Sequence, residues 1–188
     1  NGPTARPTVS FANATAVFSS AVGDYDDLIG KKIRVLNSPT AVATVQALGG
    51  AAAPIAWGEL YAALQQGVVD GAENNPPSYY LSRHYEIAKY YSLDEHTFVP
   101  DVILASLEVW NSLNNEQQQW LTQAMADSVE YQRSLWQNAS DEALKAVIAE
   151  GVQVTYPDKQ AFQDKVADFH ASFAGTAVAA HIKKIKSM

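Results

Sequence analysis

Residues 115–150 contain neither proline nor glycine. Nothing else in the chain constrains its fold as tightly, because the two residues that most readily interrupt a helix are missing from a run of many turns. Apolar side chains recur in it at Leu121, Met125, Val129, Leu135, Ala139, Ala143 and Val147, close to the spacing of one helical face. Asn114 offers a cap at the start and Gly151 a stop at the end. The pattern predicts a helix about 50 Å long at about 1.5 Å per residue. Such a helix exceeds one lobe, so it either kinks or bridges two lobes. A break is expected near residues 138–140.

Upstream, short apolar runs alternate with helical stretches. A glycine turn leads into Gly30-Lys31-Lys32-Ile33-Arg34-Val35-Leu36-Asn37-Ser38, read as a strand over 33–36 that hands over to a helix at Pro39. Residues 39–48 form that helix, with Val42, Val45 and Leu48 on one side and Gly49-Gly50 as its stop. A second strand is expected at 53–56. A second helix at 58–66 turns Leu60, Ala63 and Leu64 inward and is closed by Gly67. A third strand at 68–71 opens into Ala72-Glu73-Asn74-Asn75-Pro76-Pro77. This alternation predicts an α/β fold with parallel βαβ units. Ligands of such sheets collect beyond the carboxyl ends of the strands. Residues 34–38 and 73–75 both lie at such ends.

Elsewhere, residues 7–18 read as one or two strands and 78–87 as an aromatic-rich helix. Two extended segments, 90–98 and 102–106, are separated by Pro100. A strand at 152–155 precedes a helix that starts at Pro157 and Asp158 and runs to about Phe173. A last amphipathic piece carries Lys183, Lys184 and Lys186, read as a solvated helix end.

Arg34 is the residue with a chemical question attached. Strand alternation turns it away from Ile33 and Val35. If that face is covered, the guanidinium needs an anionic partner, because it cannot shed its proton. The partner is either an acidic side chain of the protein or a carboxylate that arrives from outside; the residues alone leave both open. Composition excludes other functions. A net charge of -7 argues against a nucleic-acid surface. The absence of cysteine removes disulfides, thiolate metal sites and cysteine nucleophiles. His96, His170 and His181 are too far apart in sequence to read as a metal site, and no cofactor is expected. No apolar run is long enough to cross a membrane, so no membrane insertion is expected. The opening Asn1-Gly2-Pro3 lacks an initiator methionine, which reads as processing or truncation.

Three stretches together carry a resemblance. They are Gly30-Lys31-Lys32-Ile33-Arg34-Val35, then the long run from Pro54-Ile55-Ala56-Trp57-Gly58-Glu59-Leu60-Tyr61 through Gly67-Val68-Val69-Asp70-Gly71-Ala72-Glu73-Asn74, then Arg83-His84-Tyr85-Glu86-Ile87-Ala88-Lys89-Tyr90. From about Leu28 to Phe173 the chain resembles the periplasmic solute-binding subunits of tripartite ATP-independent periplasmic (TRAP) transporters, the DctP family. The resemblance implies a periplasmic-binding-protein-like two-lobe α/β fold, of which this chain is mainly the second lobe plus a long bridging helix. Residues 1–99 and 140–188 then form the second lobe. Residues 100–139 supply crossing strands and the bridging helix to a first lobe whose N-terminal part is absent. The resemblance also implies that Arg34 grips the substrate carboxylate, that Asn74 is a second polar ligand, that Trp57 lines the pocket and that Asn37 contacts ligand. Arg6 is the candidate for an upstream arginine of the site. Glu73 enters as a support for Arg34 or for its turn. Members with a similar Glu-Asn-Asn turn bind sugar acids, so a hexuronate is the expected substrate class.

Three functions follow as hypotheses. The first is a periplasmic binding protein that captures an organic acid and docks on TRAP membrane subunits, without catalysis. The second is an enzyme, such as a lyase acting on a hydroxy acid; Glu73 is the lone nearby candidate for its general base. The third is a binding fragment that needs a separate first lobe. Tyr79, Tyr80, Tyr85, Tyr90 and Tyr91 are expected in core and hinge packing, and Arg83, His84 and Glu86 in a structural network on one helix.

Overall fold

The computed structural model describes residues 10–18 and 20–186. Its centre is one six-stranded sheet in the order β3-β2-β4-β1-β5-β6. The strands are β1 (Ser10–Phe18), β2 (Lys32–Val35), β3 (Ala51–Pro54), β4 (Gly71–Asn74), β5 (Tyr90–Asp101) and β6 (Gln153–Thr155). β2 lies parallel between β3 and β4, with Arg34 opposite Ala53 on one side and Ala72 on the other. β1 runs antiparallel to both β4 and β5, and β5 pairs in parallel with β6. The expected βαβ units are therefore present, embedded in a mixed sheet.

The helices follow from local chemistry. α1 (Pro39–Ala47) starts where the Ser38 hydroxyl caps the Ala41 N–H, with proline in its first turn. It ends at Gly49, whose φ of 98° belongs to the left-handed region that glycine enters without penalty. α2 (Leu60–Gln65) buries Leu60, Ala63 and Leu64, the three inward positions the sequence names. α3 (Pro76–Leu81) is capped by the Asn75 side chain, which accepts from the Ser78 N–H. Short α4 (Leu107–Ser112) precedes α5 (Asn115–Ala149), whose capping box joins Asn114 and Gln117. α6 (Lys159–Lys165), α7 (Ala167–Ala171) and α8 (Ala177–Lys186) close the chain.

Two apolar cores result. One gathers Leu60, Leu64, Ala72, Tyr79, Tyr91 and Val147 from α2, α3, the sheet and the end of α5. The other gathers Phe18, Ile33, Val35, Val45, Leu48 and Phe162 under α1 and α6. Ile33 and Val35 belong to the second core, so alternation sends Arg34, between them, toward the other face. Tyr79 and Tyr91 stack at 4.7 Å and are core residues, as expected; Tyr80 is exposed.

Several expectations are corrected. α5 is a single 35-residue helix, without a break at 138–140; with neither proline nor glycine there, its backbone hydrogen bonds continue. Arg83, with φ 58°, separates α3 from a 3-10 turn over His84–Glu86, so the predicted helix at 78–87 is two pieces. Val166 likewise divides the predicted 157–173 helix into α6 and α7. β3 begins two residues earlier than expected. β4 occupies Gly71–Asn74 rather than 68–71. Gly67 closes α2 at φ 67°, and residues 68–70 are spent turning: the Val68 N–H returns to the Ala63 carbonyl, and the Asp70 carboxylate accepts from the Lys32 N–H at 2.7 Å. Finally, β5 runs unbroken through Pro100, and 102–106 is not a strand. β6 pairs only with Tyr90, Tyr91 and Ser92, so Pro100 stands where β5 has β1 alone as its neighbour and a missing N–H costs little.

Candidate functional site

Arg34 lies near the carboxyl end of β2 and is 2% exposed. Its Nε donates to the Ile55 carbonyl at 2.9 Å, just past the end of β3. Its Nη1 lies 4.0 Å from Glu73 Oε1 on β4, an ion pair too long to be a hydrogen bond. Burial pulls the guanidinium down from its usual range, and the Glu73 charge pushes it back. It stays charged, because its ordinary value is far above neutrality. The same burial raises the Glu73 carboxyl above the usual carboxylate range. His96, Arg34 and a hydrogen bond with the Leu36 backbone oppose that rise, and Asp94 adds to it. The protein thus holds a buried cation without a carboxylate at hydrogen-bond distance among the described residues.

Trp57 stands beside this cation on the 3-10 turn after β3, with Arg34 Cζ 5.5 Å from its ring centroid. The indole is 43% exposed and offers a flat apolar surface next to a fork of N–H donors. Asn74 ends β4 and is buried; its Oδ1 accepts from the Asn75 N–H at 2.9 Å and its carbonyl from the Tyr91 hydroxyl at 3.2 Å. Asn37 is exposed, two residues beyond β2. The structure therefore brings Arg34, Asn37, Trp57, Glu73 and Asn74 to neighbouring carboxyl ends of three parallel strands. Arg6 falls outside the described residues.

The sequence reading missed His84. Arg83 and Glu86 do pair, through Arg83 Nε at 2.7 Å, and both are exposed. His84 leaves that network and is 2% exposed, its ring centroid 5.2 Å from that of Trp57 in an edge contact. The signal that hides it is the left-handed Arg83, which a pattern of apolar spacing does not report.

A second polar group lies on β5. Asp94 and His96 are hydrogen-bonded at 2.9 Å and largely buried. Glu95 between them has φ 49° and pairs with Lys159. Burial opposes protonation of His96, but the Asp94 charge and hydrogen bond, with Glu73 behind them, raise its pKa overall. These residues line a cavity of about 270 Å³ with Thr44, Phe162 and His170, apart from Arg34. His96 and His170, remote in sequence, share that cavity, yet among the described residues no group of three His, Cys, Asp or Glu side chains could hold a metal ion. No described helix is long and apolar enough to cross a membrane.

The family DctP, bacterial extracellular solute-binding protein, family 7, matches residues 8–176. A solute-binding protein of Chromohalobacter salexigens is 39% identical over 149 residues, which are 79% of this chain and 44% of that protein. A TRAP periplasmic solute-binding protein of Xanthobacter autotrophicus, solved with bound β-D-galacturonate, superposes with a TM-score of 0.87 at 36% identity, covering 95% of this chain and 61% of that one. One from Pseudomonas putida, solved with bound D-glucuronate, gives 0.88 at 31% identity, covering 96% and 59%. The chain spans about half the length of the curated relatives it matches.

Proposed function

Since the chain belongs to the DctP family of bacterial extracellular solute-binding proteins, we propose that it is the substrate-gripping part of a periplasmic TRAP binding protein, which captures a hexuronate and hands it to the transporter's membrane subunits. The observation that carries the reading is Arg34: a buried fork of donors whose nearest acidic neighbour, Glu73, stays 4.0 Å away and is itself pushed toward its neutral form. A ligand carboxylate supplies the missing anion. It is held bidentately, and the low local dielectric strengthens the pair. Trp57 stacks on the sugar ring, Asn74 and Asn37 take hydroxyl groups, and Glu73 orients Arg34. Arg6 completes the set. The galacturonate and glucuronate in the two relatives support the substrate class. No bond is broken in this scheme, in which Glu73 serves only to support the Arg34 guanidinium.

In this scheme residues 1–99 and 140–188 form one lobe, and 100–139 reach across to another. A second reading, a binding half that acts only with further polypeptide, is favoured by the exposed apolar side chains Leu104, Leu107, Val109 and Trp120 on the α4–α5 side. Both are tested by a thermal-shift screen of hexuronates, aldonates, C4-dicarboxylates and 2-oxo acids, with the neutral sugar galactose as control. The first reading expects a shift with one acid and none with galactose; a ligand at about a hundredfold its Kd adds about 2.7 kcal/mol. A shift that appears only when the longest natural polypeptide carrying this chain is used selects the second. Equal shifts with galactose and galacturonate contradict both.

A further inference from the structure

We propose that His84 is a positioning residue of this site, holding the Trp57 indole in place beside the Arg34 guanidinium. The inference rests on the reading of Arg34 and Trp57 as ligand contacts and adds a residue that touches neither ligand nor carboxylate. Trp57 heads a 3-10 turn whose preceding residue, Ala56, makes no side-chain cap, and its indole is 43% exposed. A large exposed ring on such a turn has several rotamers within reach. Besides the Arg34 guanidinium, the His84 ring meets it, edge-on at 5.2 Å and 69°. Tyr61 lies tilted against His84 at 6.3 Å, so Tyr61, His84, Trp57 and Arg34 form a continuous row of neighbours from α2 to the cation.

Two features of His84 have no purely structural benefit. Its Nδ1 is buried without a hydrogen-bond partner among the described residues, which costs stability that phenylalanine in the same space would not lose. Its inward direction depends on Arg83, a non-glycine residue held in the left-handed region. Backbone strain and an unpaired polar group side by side are what a site imposes on a fold, and they are costly as plain packing. Burial and then the nearby Arg34 charge lower the His84 pKa from its ordinary value.

The test uses the longest natural polypeptide that carries this chain, with D-galacturonate and D-glucuronate as calorimetric probes. Arg34→Ala comes first. Loss of binding upholds the reading on which the inference rests; unchanged binding overturns that reading and the role of His84 with it. His84→Phe, which keeps a ring edge, is then compared with His84→Leu, which does not; His84→Gln replaces the leucine variant if that one fails to fold. The phenylalanine variant should bind within about threefold of the unaltered protein and the leucine variant about tenfold more weakly. In a Trp57→Ala background the gap between them should shrink below about twofold, because the effect passes through the indole. Equal binding by the two His84 variants, or a gap that survives undiminished without Trp57, overturns the proposal even where Arg34→Ala has abolished binding.

Discussion

The two ends of α5 carry the same sequence pattern and meet different surroundings. Near its C-terminus Val147 is 0% exposed, packed with Tyr79 and Tyr91 on the sheet. Earlier on the same predicted stripe, Leu135 is 49% exposed. Leu121 is exposed as well. Periodicity therefore reports that a helix has an apolar face, while burial depends on what the rest of the polypeptide sets against it. The sheet end is a finished core, and the α4–α5 end is a helix stabilised by its capping box and its own hydrogen bonds.

The largest effect that separates the two ends comes from charge. Val147→Asp places a carboxylate among Tyr79, Tyr91 and Leu60 and should cost more than about 3 kcal/mol by urea denaturation. Leu135→Asp should cost less than about 1 kcal/mol. If Leu135→Asp is as damaging as Val147→Asp, the α4–α5 face is covered in solution and the contrast disappears. A smaller effect sharpens the sheet side. Tyr79→Phe removes the hydroxyl that donates to the Ala88 carbonyl and leaves that buried acceptor unpaired, at about 1–3 kcal/mol. On the helix side, Asn114→Ala removes a cap worth about 1 kcal/mol. Hydrogen exchange should then accelerate in the first turns of α5 and stay unchanged in β2 and β4; uniform acceleration would join the two ends into one cooperative unit.

The smallest effect is a pH dependence. The folded pKa of His96 lies above its ordinary value of about 6.5, chiefly because Asp94 outweighs burial. Its contribution to stability is therefore fully present below about pH 6.5 and is lost as pH rises through the raised value. The stability advantage of the unaltered protein over His96→Gln should shrink from pH 6 toward pH 9. An advantage that grows with pH would reverse the assignment.

Much of this architecture is legible in residue order. Ser38-Pro39, Asn114 and Gly49 mark helix ends by hydrogen-bonding and φ preferences that act within one turn, so α1 and α5 appear nearly as predicted. The boundaries that shift do so through longer-range bonds. β4 moves downstream because Asp70 is drawn to the Lys32 backbone, a partner far away in sequence. The site divides along the same line. Arg34 stands out because a fixed charge inside an apolar strand has few explanations, and the resemblance to the DctP family points to Trp57 and Asn74. His84 does not stand out, because its role comes from a left-handed neighbour and a ring contact that no short-range pattern encodes. The joining of His96 to His170 in one cavity is equally a product of the folded chain.

The most direct test of the account is calorimetric titration of D-galacturonate into the unaltered protein, Arg34→Ala and Arg34→Lys, with folding checked by thermal melting. Arg34→Ala should weaken binding by at least about a hundredfold, as expected when one partner of a buried charge pair is lost. Arg34→Lys should recover only part of that loss, because a point charge cannot reproduce the bidentate fork. Binding in Arg34→Ala as tight as in the unaltered protein would contradict the claim that this guanidinium awaits a carboxylate from outside.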